Sequence, residues 1–360
     1  MPIPKDARLL RLGVLGAGPI AQFAHFESAA KGRNTQLFAI CDLAEDLARR
    51  MAATHAPDAR IFTDYAAMLA DPEVEAVVIA TADAFHVPAA LEALAAGKPV
   101  FVEKPVGVSV EEAEALAAAQ VRTGLVVQIG HMKRFDPGLQ SAKAFVDGEM
   151  GAMLALKAWY CDSTHRYTMT DAVQPLPVSA AGVKRPPGDP KADRERYFML
   201  AHGSHLVDTA RWLAGPIMAV DARRLERFGA HCWFVAVEFA SGALGHLDLT
   251  IAIRDDWREG VTIYGEHGSV NARTFNPWYY RASDVEIFHE RDATTRRVLG
   301  ADGHFYRRQL EAFAEAVLRG GSVTGADAAD GVASLRAMVA IRESARSGRP
   351  VRLDAVSGPV

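Results

Sequence analysis

The stretch that most limits what this chain can become is Gly13-Val-Leu-Gly16-Ala-Gly18-Pro-Ile-Ala21, because it follows an apolar run, Leu9 to Leu15, and opens a helical segment. A strand that turns at once into a helix needs glycine where side chains would collide. Gly16 and Gly18 also let a pyrophosphate approach the backbone closely, and small Ala21 lets helix and strand pack together. Pro19 and Ile20 lie at the start of that helix, whose unpaired N–H groups face the diphosphate, and they count with the glycines as candidate cofactor-binding residues. Alone, such a string is a weak signal that also marks plain turns. Its context strengthens it: Asp42 ends the second apolar run, Thr35 to Cys41, where an acid accepts hydrogen bonds from the adenosine ribose of a dinucleotide. The alternative for Asp42 is a helix cap. Leu43 follows it, rather than an arginine that would receive a 2′-phosphate, so NAD is expected over NADP.

Further short apolar runs, Val74 to Ala80, Val100 to Val102 and Leu125 to Ile129, alternate with alanine-rich segments, Val87 to Ala96 and Val110 to Arg122. Strands alternating with helices predict a doubly wound parallel sheet of the Rossmann kind, an α/β domain covering residues 1–130. After Gly130 the pattern changes. Trp233 to Phe239, Ala243 to Ile253, Val261 to Tyr264 and Val285 to His289 succeed one another with glycine-containing turns, which predicts a large, mostly antiparallel open sheet. A helix from about His202 to Leu213 stops at Gly215-Pro216, and two helices, about Tyr306 to Leu318 and Ala326 to Ser347, close the chain. Residues 131–360 are therefore expected to form an α+β domain, its terminal helices packing back on the first. The stretch Pro175 to Lys191, rich in proline, lysine and glycine, reads as an irregular loop, either a lid or substrate wall or an ordinary surface excursion.

Bulk properties exclude several classes. A net charge of −4 over 360 residues gives no general attraction for nucleic acid or anionic lipid. No run of about 18 apolar residues suggests a membrane span. The first residues, Met1 to Leu10, do not resemble a signal peptide, and three scattered cysteines suit a reducing compartment, so a cytoplasmic location is expected. The twelve histidines form no ligand cluster, so no metal is implied.

Three further stretches make the chain resemble the Gfo/Idh/MocA oxidoreductases. Ala80-Thr81-Ala82-Asp83-Ala84-Phe85-His86, followed by Lys98-Pro99-Val100-Phe101-Val102-Glu103-Lys104-Pro105, is similar to the family's T-P-N-x-x-H segment leading to its E-K-P motif. Gly130-His131-Met132-Lys133-Arg134-Phe135-Asp136-Pro137 resembles the stretch that begins its second domain, and Gly203-Ser204-His205-Leu206-Val207-Asp208 the helix carrying its catalytic histidine. The resemblance implies that Lys104 and His205 are catalytic and that Thr81, His86, Glu103 and Lys104 border the cofactor, Glu103 positioning cofactor or backbone. It also implies a sugar or polyol substrate and a homodimer or homotetramer. Two departures stand out. Ala82 and Asp83 replace the family's proline and asparagine, and Ala201 stands where the family has an aspartate four residues before the histidine. Residues four apart share a helix face, so Ala201 neighbours His205 without offering a hydrogen bond. His202 and Asp208, each three residues from His205, are the candidates to take over.

Oxidising a carbinol by hydride transfer requires removal of the hydroxyl proton. A lysine beside the nicotinamide polarises that hydroxyl, and an imidazole, with an ordinary pKa of about 6.5, accepts a proton at neutral pH. Lys104 and His205 would fill these roles by resemblance. Arg134, Asp162, His165 and His202, with Lys104 and His205, are the candidate substrate-binding residues. The expected activity is an NAD-dependent dehydrogenase acting on a secondary hydroxyl of a sugar, sugar derivative or cyclitol. The rivals are an enzyme that retains NAD and uses transient oxidation for glycoside cleavage or epimerisation, and a non-catalytic NAD-binding regulator.

Overall fold

A computed structural model describes residues 8–163, 176–183, 192–300 and 302–360. The chain divides into two compact units. One comprises Met1–Met132, Pro175–Asp189 and Tyr306–Val332, and the other Lys133–Gln174, Pro190–Phe305 and Ala333–Val360.

The first unit is built on a six-stranded parallel sheet. Its strands are β1 (Leu10–Leu15), β2 (Thr35–Cys41), β3 (Arg60–Phe62), β4 (Ala76–Ile79), β5 (Val100–Val102) and β6 (Val127–Ile129), in the order β3-β2-β1-β4-β5-β6. β4, β5 and β6 are buried at every residue, which is why they read as continuous apolar runs rather than alternations. The strand order reverses between β1 and β4, the place where doubly wound sheets open a crevice at the carboxyl ends of their strands. The helix Val110–Thr123 starts at Ser109, whose hydroxyl accepts the Glu112 N–H, and stops at Gly124, in the left-handed region at φ 67°. Only β3 escaped the sequence pattern. It is three residues long and half-exposed, so no periodicity marks it.

Two segments distant in sequence complete this unit. Leu310, Phe313 and Ala314 of the helix Phe305–Arg319 are fully buried in the same core as Leu12, Val14 and Phe101. Glu311 takes the Arg33 guanidinium at 2.9 Å and the Arg33 N–H at 3.0 Å. Residues 176–183 form no strand or helix, but Val178 and Ala180 pack on the core, and the Gln22 side chain bonds the Val178 carbonyl and N–H at 3.0 and 2.8 Å.

The second unit carries a nine-stranded sheet. Its strands are β7 (Met153–Asp162), β8 (Ile217–Arg227), β9 (Ala230–Phe239), β10 (Leu244–Ile251), β11 (Arg258–Gly265), β12 (Gly268–Thr274), β13 (Asp284–His289), β14 (Thr294–Val298) and β15 (Val351–Arg352). The order is β14-β13-β12-β11-β7-β10-β9-β8-β15, antiparallel except for the β7–β10 pair. Inward residues such as Leu156, Ala158 and Tyr160 alternate with outward ones. The helices Pro137–Gly148 and Ser204–Ala214 pack against the inner face. β8 and β14 were not legible as strands, because charged residues interrupt the second half of β8 and almost all of β14 is charged or polar and exposed. The expected helix from His202 starts earlier, as the α-helical residues Arg194–Phe198, passes through a π-turn, Met199–Gly203, and is α-helical again from Ser204. Among the described residues no helix is long and apolar enough to cross a membrane.

Candidate active site

In the first unit the candidate residues collect at the carboxyl ends of β1, β2, β4 and β5. Gly16 has φ 95°, and a Cβ there would stand 2.8 Å from the Ala80 carbonyl oxygen, so the close passage of the β1 turn beside β4 requires glycine. A Cβ on Gly18 would meet nothing within 4 Å, so its backbone faces open space, as a pyrophosphate cradle must. Pro19 and Ile20 begin the helical residues 19–31, within which Ala21–His25 form a π-turn. Asp42 accepts the Ala17 N–H at 2.7 Å with one oxygen and the Ala44 N–H at 2.8 Å with the other. Asp42 thus braces the glycine turn and holds the N–H of Ala44, the residue that caps the helix Glu45–His55, rather than capping that helix itself, and a carboxylate with about four lone-pair sites has further acceptors to offer.

A buried network fixes the backbone around Lys104. Glu103 is 3% exposed, and its carboxylate accepts His25 Nε2 at 2.8 Å and the Lys104 N–H at 3.0 Å. Burial pushes this carboxyl up. The His25 hydrogen bond, with His25, Lys104 and His86 as nearby charge, outweighs burial and holds it below the usual carboxylate range. Gly130 leaves room for Glu103, whose Oε1 would lie 3.0 Å from a Cβ there. His86, 1% exposed, joins the turns after β4 and β5 by bonding the Thr81 carbonyl at 3.1 Å and the Pro105 carbonyl at 2.7 Å. Among the predicted cofactor residues, Glu103 and His86 thus act on backbone. His25 was missed: it lies in the first helix with no motif around it, and only its burial against Glu103 reveals it.

In the second unit the end of β7 meets the start of the histidine helix. Tyr160, 2% exposed, lies parallel to His205, with 5° between ring planes and 5.8 Å between centroids. Trp257 meets its edge at 4.9 Å, and Lys133 Nζ stands 4.6 Å from its centroid. Its hydroxyl is 3.4 Å from His202 Nδ1, which is itself 3.7 Å from Asp162 Oδ2. Lys133 forms a buried ion pair with Glu259, whose carboxyl burial pushes above its usual range despite that lysine. Arg134 is 5% exposed and grips Asp208 through two hydrogen bonds of 3.0 and 2.7 Å. Asp208 is therefore engaged by Arg134, whereas His202 faces Asp162 and Tyr160. Trp257 also lines a cavity of about 410 Å³ bordered by Asp256, Arg273, Asn276 and Tyr279. His165 lies outside the described residues. Tyr160, Trp257 and Glu259 were not singled out from sequence, because, until their neighbours are seen, Tyr160 reads as an ordinary strand residue and the other two fall between two expected strands. No cluster of His, Cys, Asp or Glu among the described residues would hold a metal ion.

A glycine turn at the switch point of a parallel sheet, Lys104 at the end of β5 and a histidine helix on a large sheet are the parts expected of a two-part oxidoreductase. Residues 10–131 match an oxidoreductase family's NAD-binding Rossmann fold, and residues 198–353 its C-terminal α/β domain. The chain belongs to this family, the Gfo/Idh/MocA oxidoreductases. It is 28% identical to an inositol 2-dehydrogenase of Rubrobacter xylanophilus over 98% of this chain and 96% of the relative. It is 27% identical to the scyllo-inositol 2-dehydrogenase (NAD(+)) of Bacillus subtilis, over 80% of each. Its fold is shared with levoglucosan dehydrogenase solved in complex with NADH, at TM-score 0.79 and 21% identity over 96% of this chain and 99% of that one.

Proposed function

We propose that the protein is an NAD-dependent dehydrogenase that oxidises a secondary hydroxyl of a sugar, sugar derivative or cyclitol. The observation that carries this reading is the buried His25–Glu103–Lys104 network, which holds the backbone of Lys104 at the same carboxyl end of the sheet as the glycine turn of β1. The inositol 2-dehydrogenase relatives support the substrate class.

In this reading Gly16, Gly18, Pro19 and Ile20 cradle the diphosphate, Asp42 binds the adenosine ribose, and Thr81 borders the nicotinamide. His86 and Glu103 hold the backbone on either side of Lys104. The bound NAD supplies the hydride acceptor. Lys104 polarises the substrate hydroxyl and His205 accepts its proton. Asp162, His165, His202 and Arg134 are assigned to the substrate side, Arg134 acting through Asp208. The subunits associate as a dimer or tetramer.

The test is NADH absorbance against a panel of inositols, monosaccharides, anhydrosugars and glycosides. Stoichiometric NADH is expected with at least one cyclitol or sugar. Product without NADH would point instead to retained cofactor and transient oxidation. Lys104→Ala should lower the hydride-transfer rate at least about a hundredfold while NAD affinity stays within about tenfold, since its role grows as charge develops in the transition state. A variant that keeps most of its turnover removes Lys104 from the mechanism.

A further inference from the structure

We propose that Tyr160 positions His205, in a helix whose sequence offers no carboxylate at position 201. The inference rests on the proton-accepting role of His205 given above. A carboxylate orients an imidazole by bonding one of its nitrogens. A stacked ring instead constrains the imidazole plane and itself occupies neither nitrogen. Tyr160 and His205 are within 5° of parallel at a centroid separation of 5.8 Å, inside the range of offset aromatic stacks.

The tyrosine suits this work because little freedom is left to it. β7 is an interior strand, and Tyr160 is in register with Leu249 on one side and Glu259 on the other. Trp257 closes its edge, Lys133 stands 4.6 Å from its ring centroid and is tied to Glu259, and the hydroxyl sits beside His202. Asp162, two residues further along β7, lies 3.7 Å from the same His202 nitrogen. A carboxylate is thus present near the helix, but it approaches from the strand and faces His202. Ala201 and His202 read together: position 201 offers no acid, and His202 beside it lies between the tyrosine hydroxyl and an acid on the strand. Among the described residues, the charged and titratable groups around this side of the sheet include Asp162, Glu259, Asp136, Lys133, His202, Tyr197 and the Arg134–Asp208 pair.

The experiment uses the full chain, NAD and the substrate found in the screen. It compares Tyr160→Phe, Tyr160→Met and His205→Asn by kcat, KM and the pH profile of kcat/KM. Methionine fills similar space without a plane, and phenylalanine keeps the plane without the hydroxyl. Tyr160→Met should lower kcat about thirtyfold or more with KM changed less than about threefold, and should shift the acid limb of the profile, while Tyr160→Phe stays within about fivefold. A folded, NAD-binding Tyr160→Met with ordinary turnover overturns the proposal. So does a Tyr160→Phe as damaged as Tyr160→Met, which would place the function in the hydroxyl. If Tyr160→Met does not fold, Trp257→Leu removes the support of the ring edge. It should lower kcat with NAD binding retained, and unchanged turnover there would equally overturn the role. Full activity in His205→Asn would instead strike at the proton-acceptor reading, leaving the two failures distinct.

Discussion

Asp42, proposed to bind the ribose, also serves the fold. Its two oxygens hold Ala17 and Ala44, so its removal should both loosen the glycine turn and alter cofactor choice. A 2′-phosphate about 4 Å from this carboxylate would meet a repulsion of about 4 kcal/mol at an effective dielectric of about 20, and less once water and salt screen it. NAD should therefore bind at least about tenfold more tightly than NADP, and Asp42→Ala should narrow the gap mainly by weakening NAD. Titration of both cofactors is the check, and equal affinity in the unmodified protein contradicts it. Glu103 makes a second prediction. Its carboxyl is held below its ordinary range, so the folded state binds fewer protons than the unfolded one near that range. The stability it contributes is complete above the ordinary carboxylate pKa of about 4.3 and is lost as pH falls through the lower folded-state value. Glu103→Gln should melt lower at neutral pH yet show a shallower loss in acid. Parallel melting curves for the two proteins across that range would refute it.

At the scale of elements, the outer face of the nine-stranded sheet carries Phe234, Leu244, Tyr264 and Phe288, each between 39% and 62% exposed. Exposed apolar residues on the sheet face opposite the helices are what the proposed association of subunits would cover. Phe234→Lys should shift the protein toward monomer by light scattering, and a monomeric unmodified protein would remove the expectation. Legibility from sequence followed burial. β4 and β5 could be read because unbroken apolar runs announce a sheet covered on both faces, whereas β8 and β14 hid behind charged and polar residues facing solvent. The glycine turn, Glu103-Lys104-Pro105 and the helix of His205 were visible because local chemistry demands particular residues in order. His25, Tyr160 and Glu259 were not, since each acquires its role only from a partner brought close by folding.

At the scale of the whole molecule, the first unit is assembled from three separated pieces of chain. Phe313 is fully buried in its core although it follows nearly all of the second sheet in sequence. Phe313→Ala should cost about 3–5 kcal/mol, as for other buried phenylalanines. Urea unfolding measures this, and a loss below about 1 kcal/mol would mean that the helix contributes little to that core. Residues 1–132 expressed alone should likewise lack a cooperative melt. The same arrangement governs how the protein is born. The ribosome releases the six strands of the nucleotide sheet first, then must deliver residues 133–305 before the helix that seals them emerges. At about 5–20 residues per second that interval lasts on the order of ten to thirty seconds. Throughout it, apolar surface awaiting Leu310 and Phe313 stands open to other nascent chains, which makes this middle stretch of translation the period when the protein most needs a chaperone.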